Sequence, residues 1–310
     1  ELRVQVPLGP PNEPRSPIPS SNRRDCVLEK SITTVTILSM PPQLPQPLLD
    51  RLTRQFGVGK VKEILTNCST SRLPTLRVNT IKSTDEAVMS VFRDEAIQFE
   101  RVKNIPHAFV VRNRTDRQLL EHDLARSGKI YLQGLTSMLP AFVLSPKPGQ
   151  TLLDLCAAPG SKTTQIAAMM ENRGRIVACE ENSVRFEKLK NSVTIQGASV
   201  VEARCTDATL LHHEMPELFD AVLADVPCSA EGRIDCTDPR SYRFWSEKNI
   251  VAHAKLQRRL IRSAVVCLKT GGTLVYSTCT LAPEENEEMI IWALAEFSQL
   301  KPQPITLPFP

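Results

Sequence analysis

Three loop signatures are missing from this 310-residue sequence, and each absence removes a class of chemistry. Gly160 is the only glycine between Thr151 and Gly174, so the GxGxxG fingerprint of nicotinamide-binding folds is absent there. Ser161 separates Gly160 from Lys162, which rules out a phosphate-cradling GxxxxGK[ST] loop at the same place. Nine cysteines occur without one CxxC pair, which argues against structural zinc and suits a reducing, intracellular compartment better than a disulfide framework. There is no run of about eighteen apolar residues that would read as a membrane span. The first residues also lack the compact apolar stretch of a secretory signal. A net charge of +4 permits nucleic-acid binding without demonstrating it.

What the sequence does contain is organised around Leu152 to Thr164, LLDLCAAPGSKTT. An apolar run with one embedded carboxylate passes through a Pro159-Gly160 turn into a helical pattern. This reads as strand, tight loop and helix, and such junctions bind ligands at the carboxyl end of a parallel sheet. The small residues Ala157 and Ala158 would let a ligand approach the backbone.

Glu1 to about Lys30 is rich in proline, serine and arginine and reads as extended or disordered, with residues 1–40 as a linker. Leu48, Leu49, Leu52, Phe56, Val61, Ile64 and Leu65 follow helical spacing, broken at Gly57 and Gly59, which predicts a small helical pair. The stretch around TLRVNT, a helix near Thr84 to Arg93 capped by Ser83, and short strands at 96–102, 108–111 and 129–132 predict a compact α+β domain. It completes a region of 41–148. Beyond it, strands at 151–156, 175–180, 199–205, 220–227 and 273–279 alternate with helices at 161–171, 183–196, 247–267 and 284–297. That alternation predicts an α/β fold, a doubly wound, mostly parallel Rossmann-like sheet over 149–310, with its first and fourth strands adjacent.

Strand ends carry the chemistry. Glu180 closes the second strand, where a carboxylate can accept from both hydroxyls of a ribose. Asp225, Pro227 and Cys228 close the fourth strand, and Ser277, Thr278 and Cys279 the fifth. Adjacent parallel strands lie about 5 Å apart, so both thiols can open into one crevice. A polar loop with Arg233, Arg240, Tyr242, Arg243 and Trp245 follows Cys228, and arginines with aromatics can hold phosphates and stack bases. A solvated lid would have the same composition. Lys255, Arg258, Arg259 and Arg262 share a helical face that could track RNA or face water.

The motif DLCAAPGSKT resembles the cofactor loop of the RNA cytosine-5 methyltransferases that use S-adenosylmethionine, and the similarity runs from about Leu76 to Glu288. The resemblance implies cofactor contacts from Cys156, Ala157, Ala158, Pro159, Gly160, Ser161, Lys162, Glu180, Arg185, Asp207 and Asp225, with Asp207 at the adenine. It also implies an RNA-recognition-like small domain in which Arg77 and Asn79 match an Arg-x-Asn pair, and RNA, ribosomal or transfer, as partner. Arg233, Arg243 and Trp245 are the remaining RNA-contact candidates.

Cytosine C5 is a poor nucleophile until a thiolate adds at C6, after which C5 can accept a methyl group and its proton must leave. Spacing alone leaves open which thiol attacks. The resemblance assigns attack to Cys279 and release to Cys228; Asp225, at the end of its strand, is placed to bond the ring N3 and exocyclic amine, and Lys162, beside the loop, to position the groups or support thiolate formation. One departure stands out: such folds finish with an antiparallel hairpin, while here Pro302, Pro304, Pro308 and Pro310 disfavour ladder pairing. The expectation is a missing hairpin, an exposed fifth strand and a protein partner covering it. The competing functional reading is an impaired or truncated RNA-binding or assembly factor.

Overall fold

The structure, a computed structural model, describes residues 2–5, 44–69 and 72–305, with the backbone alone for 2–5. In chain order the elements are β1 (Leu2–Gln5), α1 (Gln46–Cys68), β2 (Thr75–Val78), α2 (Asp85–Asp94), β3 (Phe99–Arg101), β4 (Ala108–Val111), α3 (Asp116–Glu121), α4 (Asp123–Arg126), β5 (Ile130–Leu132) and α5 (Leu135–Leu144). There follow β6 (Thr151–Asp154), α6 (Ser161–Met169), β7 (Arg175–Glu180), α7 (Ser183–Gln196), β8 (Val201–Cys205), β9 (Phe219–Asp225), α8 (Glu247–Cys267), β10 (Leu268–Ser277), α9 (Glu287–Glu296) and β11 (Leu300–Gln303).

Two compact units result. Among the described residues the smaller comprises α1 and Ile234–Arg243. Helix α1 is kinked at Gly57, whose φ of 77° and ψ of 158° break the helical path where the paired glycines predict two helices.

In the larger unit, β2 to β5 form an antiparallel sheet in the order β3-β4-β2-β5. Leu76, Val78, Val88, Phe92, Phe109 and Ile130 pack as its core. Thr84, one residue beyond the expected Ser83, caps α2 by accepting from the Ala87 amide at 3.2 Å.

The main sheet has the order β11-β1-β10-β9-β6-β7-β8, and every pairing in it is parallel. Side chains alternate across it: Leu153, Val177 and Val222 pack beneath α8 and α9, whereas Leu152, Ile176 and Ala221 pack with α5 and α6 on the other face. Helices on both faces make the sheet doubly wound, and β6 and β9 are neighbours, as the right-handed crossover rule requires. Their carboxyl ends open the crevice between them.

The far edge departs from expectation. β10 is no exposed edge: β1 pairs alongside it, and β11 pairs with β1 in turn. Pro302 is accommodated because β11 is the outermost strand, where an outward position has no ladder bond to lose. The reason for postulating a protein partner over β10 is thereby removed. Leu2–Gln5, in the segment expected to be extended or disordered, forms the strand β1; the rest of that segment lies outside the described residues.

Candidate active site

The loop leaving β6 is held by backbone bonds: Leu155 N–H donates to Leu223 O at 3.0 Å and Ala157 N–H to Cys179 O at 2.8 Å. Gly160 then takes a φ of 104°, and a Cβ there would lie 2.9 Å from Ser192 Cβ, so glycine is required on both counts. Ala157 and Ala158 are buried and pack against Ala178 and Leu189. Their smallness therefore serves the seating of the loop on α7.

A cleft of about 350 Å³, open to solvent, lies at the carboxyl ends of β6, β7 and β8. Of the expected cofactor residues, Cys156, Glu180, Arg185 and Asp207 line it, joined by Glu181, Thr206, Thr209, Pro227, Leu256 and Leu260. Ala157, Ala158, Pro159, Gly160, Ser161, Lys162 and Asp225 do not. Glu180 is 3% exposed, accepts from the Asn182 amide at 3.0 Å, and pairs with Arg185 at 3.1 Å. Arg185 also donates to Ala158 O at 2.9 Å, tying the second strand end to the loop. Asp207 accepts from the Thr209 amide at 2.9 Å and faces Arg259 at 3.5 Å. It is thus a capping residue and a cleft residue together. The apolar wall of Pro227, Leu256 and Leu260 offers a face for a planar base, while Glu180 and Asp207 offer acceptors for hydroxyl and amino groups. That donor set fits a nucleoside.

Beside it, the ends of β9 and β10 bring the two thiols together: Cys228 Sγ lies 3.2 Å from Cys279 Sγ. The Cys279 amide donates to Cys228 Sγ at 3.3 Å. Asp225 accepts from Ser277 Oγ at 2.6 Å and pairs with Lys162 Nζ at 2.6 Å, and that ammonium also donates to Ser137 Oγ at 3.1 Å. The hydrogen bond from Cys228 and the positive charges of Arg233 and Lys162 outweigh burial and pull the Cys279 thiol down to about 7. The same contact and burial push Cys228 upward. The contact thus shifts the two thiols in opposite directions, Cys279 toward the thiolate and Cys228 toward the thiol. Cys156 is held protonated by burial and by the nearby Asp154.

Three acidic residues went unrecognised in the sequence. Asp154 is 1% exposed; Thr163 donates to its Oδ2 at 2.7 Å while Oδ1 has no partner, and burial raises its carboxyl to about 6. Glu231 accepts from Trp245 Nε1 at 2.8 Å and from the Leu281 amide at 3.2 Å. Glu285, fully buried, accepts from the Ser229 amide at 3.1 Å and from Gln257 Nε2 at 2.8 Å. The acidic run around Glu285 carries no signal beyond that of a helix start.

The proposed RNA contacts fare unevenly. Arg77 is 3% exposed, donating to Gln133 Oε1 at 2.9 Å and Thr164 Oγ1 at 2.7 Å, and Asn79 is completely buried, donating to Gly128 O and Gln196 O at 2.8 Å. Both side chains are directed inward, where they bind the small sheet to α6 and α7. The indole N–H of Trp245 is spent on Glu231, which leaves only a half-buried ring. Arg233 and Arg243 are exposed, Arg243 within the smaller unit. On α8, Arg259 donates to Thr209 Oγ1 at 2.7 Å, and Arg258 and Arg262 stack over Trp292 at 5.1 and 5.2 Å. Much of that basic face is therefore engaged within the protein.

A doubly wound α/β sheet with a carboxylate-bearing, apolar-walled cleft at its strand ends, adjoined by two thiols in contact, defines a methyltransferase-type fold with a second, thiol-bearing site. The sequence pattern of the 16S rRNA methyltransferase RsmB/F family matches residues 141–308, and that of the RsmF/B-like ferredoxin-like domain matches 44–118. This chain belongs to the RsmB/F family. Ribosomal RNA small subunit methyltransferase F of Shewanella loihica is 40% identical over 243 residues, covering 76% of this chain and 49% of the relative. Human tRNA (cytosine(72)-C(5))-methyltransferase NSUN6 is 41% identical over 187 residues, 56% of this chain and 39% of that protein. The crystal structure of a methyltransferase homolog protein from Pyrococcus horikoshii superposes with a TM-score of 0.68 at 30% identity, covering 82% of this chain and 84% of that one. The chain spans about half the length of the curated bacterial relatives it matches. Among the described residues no helix is long and apolar enough to cross a membrane, and the eight described cysteines are all free.

Proposed function

We propose that this chain methylates C5 of cytosine in structured RNA, ribosomal or transfer, with S-adenosylmethionine as methyl donor, in a reducing compartment. The observation that carries the reading is the Cys228–Cys279 pair 3.2 Å apart, beside the Asp225–Lys162 ion pair and one residue beyond a wall of the cleft at Pro227. A methyl transfer to oxygen or nitrogen would leave two thiols and a carboxylate without a purpose. Residues 41–148 form the RNA-recognition part in this reading, and residues 149–310 the catalytic part.

The cleft fits the cofactor by its donor set: Glu180 for the ribose hydroxyls, Asp207 for the adenine amine, and Pro227, Leu256 and Leu260 for the ring face. Bound there, S-adenosylmethionine supplies an electrophilic methyl group. The Cys279 thiolate adds to C6 of the base and makes C5 electron-rich. Asp225, fixed by Ser277 and Lys162, accepts a hydrogen bond from the exocyclic amine and so orients the ring. Once C5 is substituted, Cys228, its own proton passed to solvent, takes the C5 proton, and the electrons of that C–H bond expel Cys279 as a thiolate as the C6–S bond breaks. Arg233, exposed near the thiols and lowering the Cys279 pKa, would meet a backbone phosphate as the base is turned out of its stack.

The test is denaturing electrophoresis after incubation with S-adenosylmethionine and structured RNA. Cys228→Ala should accumulate a slow-migrating RNA adduct that disappears when Cys279→Ala is added. If no form yields an adduct although calorimetry shows the cofactor bound, the reading is wrong, and a non-catalytic RNA-binding factor takes its place.

A further inference from the structure

Glu285 sits at the point where the two cysteine loops meet, although it touches neither thiol. Its carboxylate accepts from the Ser229 amide at 3.1 Å, from the Ser229 hydroxyl, and from Gln257 Nε2 at 2.8 Å. Gln257 donates in turn to Pro227 O at 2.9 Å, so Glu285 and Gln257 together hold the residues on either side of Cys228. The Ser229 hydroxyl also lies 2.6 Å from Thr280 Oγ1, next to Cys279. The neighbouring Asn286 grips the other loop: its side chain accepts from Thr278 Oγ1 at 2.6 Å and donates to Thr280 O at 3.1 Å. Tyr276 in β10 donates to Glu285 O at 2.7 Å and anchors the segment to the sheet.

A buried carboxylate is costly unless every oxygen is bonded, and here the bonds all run to the Cys228 turn and its support. A helix start needs none of them, since an acidic residue in a first turn can stay in solvent. We propose that Glu285 is a positioning residue that sets the separation of Cys228 from Cys279, acting through Ser229 and Gln257, and thereby governs release of the RNA adduct. The release half of this inference rests on the function proposed above; the spacing half does not. Without the carboxylate, the Ser229 amide and hydroxyl lose their common acceptor and the Cys228 turn is free to drift from Cys279, whose own loop remains tied by Asn286. Addition at C6 would persist while proton removal at C5 failed.

Two readouts on the full chain separate these halves. The first needs no RNA: diamide accepts two electrons and two protons as the two thiols join in a disulfide, and mass spectrometry follows the loss of two hydrogens from the cysteine pair. Glu285→Ala should slow this closure by about tenfold, the cost of losing charge-assisted hydrogen bonds to the turn. Glu285→Gln should stay close to wild type, because the Ser229 hydroxyl can reverse to accept from the new amide. Ser229→Ala keeps the carboxylate and the volume, and should slow closure by about threefold, which keeps the test available if Glu285→Ala does not fold. The second readout is the adduct, which Glu285→Ala should accumulate as Cys228→Ala does and Glu285→Gln should not. Closure at the wild-type rate in both Glu285→Ala and Ser229→Ala overturns the proposal whatever happens with RNA. Slowed closure with no adduct in Cys228→Ala either upholds the positioning of the thiols and overturns the methyltransferase reading instead. Slowed closure with an adduct in Cys228→Ala but none in Glu285→Ala overturns control of release.

Discussion

Replacing Asp154 by Asn should favour the fold progressively more as pH rises. Asp154 lies beneath the cofactor loop at 1% exposure, and burial, reinforced by the nearby Asp225, raises its carboxyl from 3.8 to about 6. An acid with a raised folded pKa favours the fold while protonated and opposes it while ionised. The stability is therefore fully present below the unfolded value of 3.8 and is lost as pH rises through about 6. At about 1.4 kcal/mol per pKa unit, the ionised group costs about 3 kcal/mol at pH 8 and about half of that at pH 5. The new amide brings two N–H donors, of which Thr163 can take one; the other stays unpaired at every pH, a constant cost of about 1–3 kcal/mol. Thr163 Oγ1 lies 2.7 Å from one carboxylate oxygen and 3.4 Å from Ala157 O, so it can turn to donate to Ala157 and accept from the new amide. The other oxygen, without a partner in the parent, becomes the Asn carbonyl. Chemical denaturation at pH 5, 6 and 8 should show the stability of the variant relative to the parent rising with pH, by about 1.4 kcal/mol between pH 5 and pH 8. An equal difference at every pH would show that Asp154 is not held against its own charge.

Further outcomes follow from the same geometry. At pH 7 iodoacetamide should modify Cys279 ahead of the other exposed thiol, Cys205, with a rate that rises through about pH 7, while Cys179 and Cys267, raised to about 12 and 11 by burial, stay unmodified in peptide mass spectra of the native protein. Lys162→Met removes one of the charges acting on Cys279 and should slow that alkylation by about threefold at pH 7, with Lys162→Arg restoring part of it; an unchanged rate would remove Lys162 from the thiol's electrostatics. Arg77→Ala leaves Gln133 and Thr164 without their buried partner and should cost about 3 kcal/mol in thermal unfolding, yet leave the salt dependence of RNA binding unaltered. Arg233→Ala should do the reverse, lowering the slope of log affinity against log salt by about one with little loss of stability.

The fate of individual residues shows where sequence reasoning holds. The order of strands and helices from Thr151 onward, the adjacency of β6 and β9, and the convergence of Cys228 and Cys279 follow from local patterns joined to a topological rule. Helices α7 and α8 match their expected spans residue for residue, because apolar periodicity and a capping Asn182 or Ser246 are local signals. The burial of Arg77 and Asn79 was not legible, because a basic or amide side chain on a short strand looks the same whether it faces solvent or a neighbouring helix. Only packing against α6 and α7 decides it. The exposed edge was misjudged for a related reason: pairing β10 with residues near the start of the chain is a contact across more than 260 positions, for which a sequence window has no term.

The sequence by itself determined the parallel α/β sheet, the loop at the end of its first strand, and the two thiols at the ends of its fourth and fifth. These depend on periodicity, turn residues and the fixed handedness of crossovers. Tertiary structure decided the direction in which each thiol is shifted, since that depends on a 3.2 Å contact and on the ammonium and guanidinium groups that packing brings near it. It also decided that Asp154, Glu231 and Glu285 are buried carboxylates rather than solvated ones. A carboxylate's solvation is set by the segments that close over it, and those segments come from distant parts of the chain.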